Sequence, residues 1–271
     1  MSRKIKADFH LHSDFSGDST TPMKHMIQQG IKNGMQFLCM TEHMDRDYPT
    51  EDETDFNLDT DRYFAGYHKF QKQYGSRIDL RFGVELGLQP HLVDFHREYA
   101  RTYPFDFIIG SSHVAHGKDP YYPSFYEGRT EDEAYLDYFL SILENLRTEP
   151  DIDVYGHIDY VVRYGPNKNN YYSYRKFSDV LDQILTTLID QGIGIECNTG
   201  GIKYGLGHPN PCEEILTRYC KLGGEILTIG SDAHTPEHIG YAFDQIPELL
   251  KSCGFSYYTI FKNRKPEFIR L

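Results

Sequence analysis

The sequence IKADFHLHS, residues 5–13, joins a short apolar run to two histidines that are separated by one residue. A run of this length and composition is typical of a buried β-strand. Side chains at positions i and i+2 of an extended chain project from the same face, so His10 and His12 can bind one metal ion together. Pairs of this kind are common, and the meaning of this one depends on which residues stand at the ends of the other predicted strands.

Six further apolar runs predict strands at residues 37–41, 80–84, 107–110, 154–156, 193–197 and 226–230. Helical patterns lie between them, and the clearest repeats apolar residues at i, i+3, i+4 and i+7 spacing over residues 177–189. Strands that alternate with helices indicate a parallel sheet with the helices outside it. Such a sheet is either open or closed into a barrel.

Possible metal ligands stand at the end of every predicted strand, namely His10-Leu11-His12, Glu42-His43, Glu85, His113, His157-Ile158-Asp159, Glu196-Cys197-Asn198 and Asp232-Ala233-His234. Glu85 stands between two apolar residues, where a carboxylate is poorly solvated unless a cation lies beside it. A barrel brings all strand ends to one mouth, whereas an open sheet spreads seven strand ends over about 30 Å. We therefore predict an α/β barrel with a metal site at its C-terminal mouth.

The ligand types indicate a site with more than one metal ion. About nine candidate ligands are too many for one tetrahedral ion, and they suffice for two or three ions if a carboxylate bridges some of them. Closed structural zinc sites usually use several cysteines, and Cys197 is the only cysteine among these positions. Imidazole and carboxylate ligands together suit catalytic zinc, manganese or iron.

Composition limits the other functions that the chain can have. The 271 residues fit one barrel domain, which we predict over residues 1–271, and no stretch reaches the roughly 18 apolar residues of a membrane span. Five scattered cysteines without a CxxC pair favour reduced thiols in a cytoplasm. The formal net charge of −12 weighs against nucleic acid. We expect a small-molecule substrate, no nucleic acid or membrane partner, and a monomer or small homo-oligomer.

The motifs DFHLHS, TEH, GVELG, SSH, GHID, ECN and GSDAH occur in this order over nearly the whole chain. Their order and spacing resemble those of the PHP (polymerase and histidinol phosphatase) superfamily of amidohydrolase-like barrels. Within that superfamily the chain is most similar to the histidinol-phosphate phosphatases, with FSGDSTTPMKHM, TEHMD and residues 127–135 as further points of likeness.

The resemblance implies a distorted (β/α)7 TIM-like barrel with three divalent metal ions (zinc, manganese or iron) at its mouth. By motif position it implies His10, His12, Glu85 and Asp232 at a first ion, Glu85, His113 and His157 at a second, and Asp18, His43 and His234 at a third. Many relatives carry histidine at the position of Asp18. A carboxylate there is chemically acceptable and can alter the metal preference.

The resemblance also implies hydrolysis of L-histidinol phosphate to L-histidinol and phosphate, a step of histidine synthesis, by attack of a metal-bridging hydroxide. Glu85, Asp232 and His234 are the expected catalytic residues, and the sequence does not decide whether Asp232 or a neighbouring histidine relays the proton to the leaving group. One alternative is a PHP phosphoesterase acting on nucleotides or another small phosphate monoester. Another is a non-catalytic metal-binding module, which the competent side chain at every ligand position disfavours.

Substrate contacts are predicted from their positions after the strands. A phosphate clamp needs a fixed cation, for which Arg163 is the first candidate and Arg129 and Lys203 are alternatives. Glu42, Asn198 and His116 are further candidates for the substrate site, and so is His91. The resemblance also implies that Glu42, Glu196 and Asn198 lie behind the metal ligands or at the rim of the site.

The organic part of histidinol phosphate carries positive charge. The acidic stretch at residues 44–61 is predicted to be a surface loop, and its carboxylates Asp45, Asp47, Glu51, Asp52, Glu53 and Asp55 can receive this charge. The tyrosine-rich segments at residues 121–126 and 160–164 can contribute as well.

Overall fold

The computed structural model describes residues 4–51 and 54–271 of the chain. The strands are β1 Ala7–Asp8, β2 Phe37–Met44, β3 Asp79–Gly87, β4 Phe107–Ser111, β5 Val154–Tyr155, β6 Gly194–Asn198, β7 Leu227–Gly230, β8 Tyr257–Lys262 and β9 Lys265–Arg270. The α-helices are α1 Met23–Lys32, α2 Thr60–Tyr74, α3 Val93–Thr102, α4 Glu131–Arg147, α5 Ser178–Asp190, α6 Gly200–Lys203, α7 Glu213–Lys221 and α8 Ile246–Ser252. None of the helices within these described ranges is long and apolar enough to cross a membrane.

Strands β1 to β7 form one parallel sheet in sequence order. Backbone hydrogen bonds join the residues that follow β1 to the end of β7 and to the residues that follow β7. These bonds close the sheet into a ring. The Phe9 N–H donates to the Ile229 C=O at 3.0 Å, and the Asp232 N–H donates to the His10 C=O at 2.9 Å. The predicted α/β barrel is confirmed, and the open-sheet alternative is wrong.

Strands β2 and β3 continue further toward the mouth than the sequence predicts. Their parallel pairing runs to Met44 and Leu86, with His43 directly opposite Glu85. These two candidate ligands therefore lie inside paired strands rather than in the loops after them. Pairing can continue because the inward-facing polar side chains contact each other within the barrel, so the strands need not end where the apolar run ends.

The helices form where apolar periodicity and end signals agree. The predicted pattern at residues 177–189 is α5, which buries Val180, Leu181, Ile184, Leu185 and Leu188. Gly192 comes after α5 with a φ of 72°, the left-handed conformation that glycine adopts easily after a helix. Helix α4 begins with a capping box, in which the Thr130 side chain accepts from the Glu133 N–H and the Glu133 side chain accepts from the Thr130 N–H.

An antiparallel hairpin of β8 and β9, which the sequence does not predict, lies at the end of the barrel opposite the mouth. The Arg81 guanidinium, near the start of β3, donates to the Phe261 C=O at 3.2 Å. The Arg264 Nε donates to Asp153, just before β5, at 2.6 Å. Both anchors stand at the N-terminal ends of barrel strands, so the hairpin covers the bottom of the barrel and leaves the mouth open.

Candidate active site

The mouth of the barrel brings the predicted metal ligands together. Four groups of three side chains can each bind one ion, because the three ligand atoms within each group lie within 4.8 Å of one another. The groups are His10, His12 and Glu85; His43, Glu85 and His113; His10, His157 and Asp232; and His12, His43 and His234. Asp18 joins them, since its Oδ2 lies 3.0 Å from His234 Nε2 and 3.6 Å from His43 Nε2. All nine side chains therefore share one site, although they come from distant parts of the chain.

Glu85 lies at the centre of this cluster and is fully buried. Its Oε2 lies 3.0 Å from His10 Nε2, and its Oε1 lies 2.9 Å from His157 Nε2 and 3.2 Å from His113 Nε2. Burial raises the pKa of Glu85, but the opposing charges of His10 and His113 outweigh it and hold this pKa well below its usual range. A carboxylate whose two oxygens face different imidazoles has the geometry of a bridging metal ligand.

The donor atoms at the mouth fit metal ions. Among the described residues, the buried Nε2 atoms of His12 and His234 have no hydrogen-bond partner. Buried polar atoms are rarely unpaired, and each such atom needs an explanation, which includes a bound ion. Both atoms lie beside carboxylates, His12 Nε2 at 3.4 Å from Glu85 and His234 Nε2 at 3.0 Å from Asp18. Nitrogen and oxygen donors in this arrangement suit zinc, manganese or iron.

Carboxylates behind two of the histidines fix their orientation. The Nδ1 of His10 donates to Glu196 at 2.7 Å, and the Nδ1 of His113 donates to Asp45 at 2.6 Å. Each carboxylate can only accept, so in the neutral form of each ring the lone pair is on the Nε2 that faces Glu85. These bonds prepare both rings as metal ligands.

Asp45 is buried within the candidate site, and its predicted position in a surface loop is wrong. It is buried beneath His113 and lies 3.3 Å from His43 Nδ1. Because β2 extends to Met44, Asp45 continues the strand face that carries His43. The i, i+2 spacing of His43 and Asp45 is the signal in the sequence that points to this placement. Asp52 and Glu53, which belong to the same predicted loop, lie outside the described residues.

Glu42 and Asn198, two predicted substrate contacts, are fully buried and do not line the cavity at the mouth, as described over residues 4–51 and 54–271. The Glu42 carboxylate points away from the cavity and accepts hydrogen bonds from the Ser13 N–H at 2.8 Å and the Ser16 hydroxyl at 2.6 Å. The Asn198 Oδ1 accepts from Arg163 at 2.9 Å. Both side chains therefore hold neighbouring residues in place and cannot reach a substrate.

His116 and His91 also lie outside the cavity. The His116 ring contacts two carboxylates of α4, with Nε2 3.0 Å from Glu144 and Nδ1 3.1 Å from Asp137. The exposed His91 pairs with Asp47 at 3.2 Å. The structure thus ties both histidines to surface carboxylates and does not bring them to the ligand cluster.

Arg163 lines the cavity, although its side chain is buried. Its guanidinium donates to Asn210 at 2.8 Å, Asp232 at 2.8 Å and Asn198 at 2.9 Å. Of the two alternative cations, Lys203 also lines the cavity and donates to the Asp232 C=O at 2.9 Å. Arg129 instead pairs with Asp137 at 2.7 Å, outside the cavity. The mouth therefore holds two cations beside the ligand cluster.

The cavity at the mouth has a volume of about 550 Å³. Its aromatic lining consists of Tyr48, Phe56, Tyr121, Tyr122, Tyr160, Tyr164 and Tyr204. Asp119 lies among these rings, where it accepts hydrogen bonds from the Tyr48 hydroxyl and from the Tyr121 N–H at 2.6 Å. Burial raises the pKa of Asp119 to about 6. The cavity thus has an end with metal-ligand side chains and cations and an end with one carboxylate among tyrosines.

Comparisons with known proteins agree on the family of the chain. The model of the PHP domain matches residues 8–200. A probable histidinol-phosphatase of Clostridium acetobutylicum is 33% identical over 250 residues, which cover 91% of this chain and 93% of that protein. A histidinol-phosphatase of Lactococcus lactis is 29% identical, with 96% of each chain covered.

The fold is also similar to that of a solved structure. The crystal structure of the Lactococcus lactis histidinol phosphate phosphatase, in complex with zinc, L-histidinol and phosphate, matches with a TM-score of 0.88 and 28% identity. The match covers 97% of this chain and 98% of that one. The likeness therefore includes the whole barrel and the hairpin at its end.

Proposed function

Because the chain belongs to the PHP domain family, we propose that it is a metal-dependent phosphatase that hydrolyses L-histidinol phosphate to L-histidinol and phosphate, a step of histidine synthesis. The observation that carries the proposal is the cavity itself. One end brings seven of the nine candidate ligand side chains, all but His10 and His12, beside the buried cation Arg163, and the other end places Asp119 among tyrosines. A phosphate ester with a cationic organic part fits these two ends.

We propose three divalent ions, zinc, manganese or iron, at the mouth. The first would be held by His10, His12, Glu85 and Asp232, the second by Glu85, His113 and His157, and the third by Asp18, His43 and His234. Short distances support the assignment, since Glu85 Oε1 lies 3.2 Å from His113 and 2.9 Å from His157, and Asp18 lies beside His43 and His234. Bound divalent ions supply positive charge for the phosphoryl oxygens and a hydroxide nucleophile at neutral pH.

Arg163 binds the phosphoryl oxygens in this proposal. Its planar guanidinium can present two N–H groups to one phosphate, and Asn198, Asn210 and Asp232 already hold its plane. Such a preorganised cation needs no rearrangement as negative charge develops in the transition state. Lys203 lies near enough to share this task.

Glu85, Asp232 and His234 act at the reacting centre. Glu85 keeps the ligand histidines around the phosphoryl group, as its contacts to three imidazoles indicate. The leaving group is an alkoxide, which needs a proton from a positioned acid. Asp232 and His234 are the pair to which we assign this transfer, since their side chains approach each other at 3.7 Å in the cavity.

The organic part of the substrate lies at the tyrosine end of the cavity. The buried Asp119 carboxylate can accept a hydrogen bond from a cationic amine or imidazole. Faces of the surrounding tyrosine rings attract the same cation. This arrangement favours a small cationic substrate, and a nucleotide base would place no positive charge beside Asp119.

Phosphate release from L-histidinol phosphate, compared with that from nucleoside monophosphates and glycerol phosphate, tests the proposal. The zinc-loaded protein should prefer histidinol phosphate by about 100-fold or more in kcat/KM. Equal or faster turnover of a nucleotide would make the chain a phosphoesterase of another specificity. If the metal-loaded protein hydrolyses none of these esters, the chain is a non-catalytic metal-binding module.

We also propose that residues 1–271 work as one PHP-type unit, as a monomer or small homo-oligomer, in the cytoplasm. All five cysteines are free thiols, which fits a reducing compartment.

A further inference from the structure

A hydroxyl group, rather than a carboxylate, lies behind His12. The Ser16 Oγ is 3.2 Å from the Nδ1 of His12. The same oxygen accepts from the backbone N–H of His43 at 3.0 Å and lies 2.6 Å from Glu42 Oε2. Ser16 and Glu42 are both buried, so this network is closed off from solvent.

A serine hydroxyl does not by itself decide the tautomer of a histidine. It can accept from an Nδ1–H, and it can equally donate its own proton to an Nδ1 lone pair. In the second case the ring would carry its proton on Nε2, and this nitrogen could not bind a metal ion. His10 and His113 avoid the ambiguity because carboxylates face their Nδ1 atoms.

Glu42 removes the ambiguity at His12. Its ionised carboxylate has no proton to donate, so its Oε2 accepts both from the Ser13 N–H at 2.8 Å and from the Ser16 hydroxyl at 2.6 Å. The single proton of the Ser16 hydroxyl therefore points at Glu42. The two lone pairs of Ser16 are left for the His43 N–H and for an Nδ1–H of His12. The Nε2 of His12 then carries the lone pair, 3.4 Å from Glu85 and 3.7 Å from Asp232.

We propose that Glu42 is a positioning residue that acts through Ser16 to fix His12 as its Nδ1–H tautomer, and so prepares the Nε2 of His12 for metal. The inference rests on the proposed function only in that it assumes a metal at His12. It assigns Glu42 a role that needs no contact with the substrate, in line with its burial away from the cavity.

Three variants test the direction of these hydrogen bonds. Glu42→Leu removes the acceptor, so the Ser16 proton becomes free to turn toward His12. Glu42→Gln is the conservative variant, because its amide oxygen can meet the Ser13 N–H and Ser16 while its NH2 group donates to the Ser13 hydroxyl, which can reverse. Ser13→Ala is the matched control, since it removes the 2.5 Å hydrogen bond from Ser13 to Glu42 and leaves Ser16 unchanged.

The first measurement is the tautomer of His12 in the metal-free protein, read from long-range ¹H–¹⁵N spectra of ¹⁵N-histidine-labelled samples. The second is the affinity for zinc. Glu42→Leu should populate the Nε2–H tautomer and weaken zinc binding about 10–100-fold. Glu42→Gln and Ser13→Ala should keep the wild-type tautomer, with zinc affinities within about threefold of the wild type.

A folded Glu42→Leu protein with the wild-type tautomer and zinc affinity would overturn the inference. A Glu42→Gln protein whose zinc affinity falls as far as that of Glu42→Leu would overturn it as well. A purely structural role would lower the melting temperature without changing the tautomer. If Glu42→Leu does not fold, Ser16→Ala takes its place, and wild-type zinc binding there is equally contradictory. Neither readout uses a substrate, so failure to hydrolyse histidinol phosphate would contradict the proposed function and leave the inference about Glu42 unaffected.

Discussion

At the scale of single residues, Asp119 carries the proposed choice of substrate. Its carboxylate is buried among tyrosines and accepts hydrogen bonds from the Tyr48 hydroxyl, the Tyr121 N–H and the Tyr160 hydroxyl. Burial raises its pKa to about 6. Asp119 is therefore mostly charged above pH 6 and mostly neutral below it, and only the charged form attracts a cation strongly.

Asp119→Asn should lower kcat/KM for histidinol phosphate about 10–100-fold at pH 7.5, which corresponds to the loss of a hydrogen bond to a charged group. The amide cannot titrate, so the ratio of wild-type to variant kcat/KM should shrink as the pH falls through about 6. This ratio is measured from pH 5 to 8 with the same substrate, which cancels the titration of the substrate itself.

Glycerol phosphate, which lacks a cationic group, is the control substrate for Asp119→Asn. Its turnover should change little. A ratio of wild-type to variant kcat/KM that stays constant from pH 5 to 8 would contradict a cation site at Asp119. An equal loss of kcat/KM for histidinol phosphate and for glycerol phosphate would contradict it as well.

The predictability of the site also differs from residue to residue. His10, His12, Asp232 and His234 could be predicted because strand geometry fixes which way alternate side chains point. The hydrogen-bond partners of Glu42 could not, because they depend on how residues 13–16 fold back over it. Hydrogen bonds from Ser13 and Ser16 turn its carboxylate away from the cavity, and no sequence pattern records that direction.

At the scale of elements, the end of β3 is shaped by Gly87, which lets the Asp45 carboxylate lie against the strand. A methyl group built on Gly87 would overlap the Asp45 carboxylate. Gly87→Ala should therefore displace Asp45, release the Nδ1 of His113 and weaken zinc binding about 10–100-fold. Zinc titration of the purified variant measures this loss.

A double-mutant cycle with Asp45→Ala supplies the control for Gly87→Ala. If the glycine acts through Asp45, the double variant should bind zinc no more weakly than Asp45→Ala alone, because the added methyl group enters vacated space. If the losses of zinc affinity in the two single variants add up in the double variant, Gly87→Ala disturbs the site without acting through Asp45.

Elements differ in predictability for a physical reason. The buried strands and amphipathic helices could be predicted because burial imposes a hydrophobic pattern on their sequences. None of the six residues of β9 is buried, and the hairpin is held by the buried residues of β8 and by tertiary contacts such as the one between Arg264 and Asp153. A strand held in this way leaves no periodic signal in its sequence.

At the scale of the whole molecule, the closed barrel concentrates charge at its mouth. Glu85 and Asp232 are buried there, Glu85 beside the ligand histidines and the Ser111 hydroxyl, and Asp232 beside Arg163. Ions bound at this point would join strands from both halves of the sequence. Folded protein would bind them much more tightly than unfolded protein, because only the barrel brings the ligands together.

Metal should consequently stabilise the entire fold. A ligand at about 100 times its Kd adds about 2.7 kcal/mol, and for a chain of this size that corresponds to a rise in Tm of roughly 5–10 °C. Scanning calorimetry of the chelator-treated and zinc-loaded protein measures the difference. Arg264→Ala, at the opposite end of the barrel, should lower both midpoints equally, whereas Glu85→Gln should remove most of the increment. Identical midpoints with and without zinc would contradict a mouth that binds metal only when the barrel is closed.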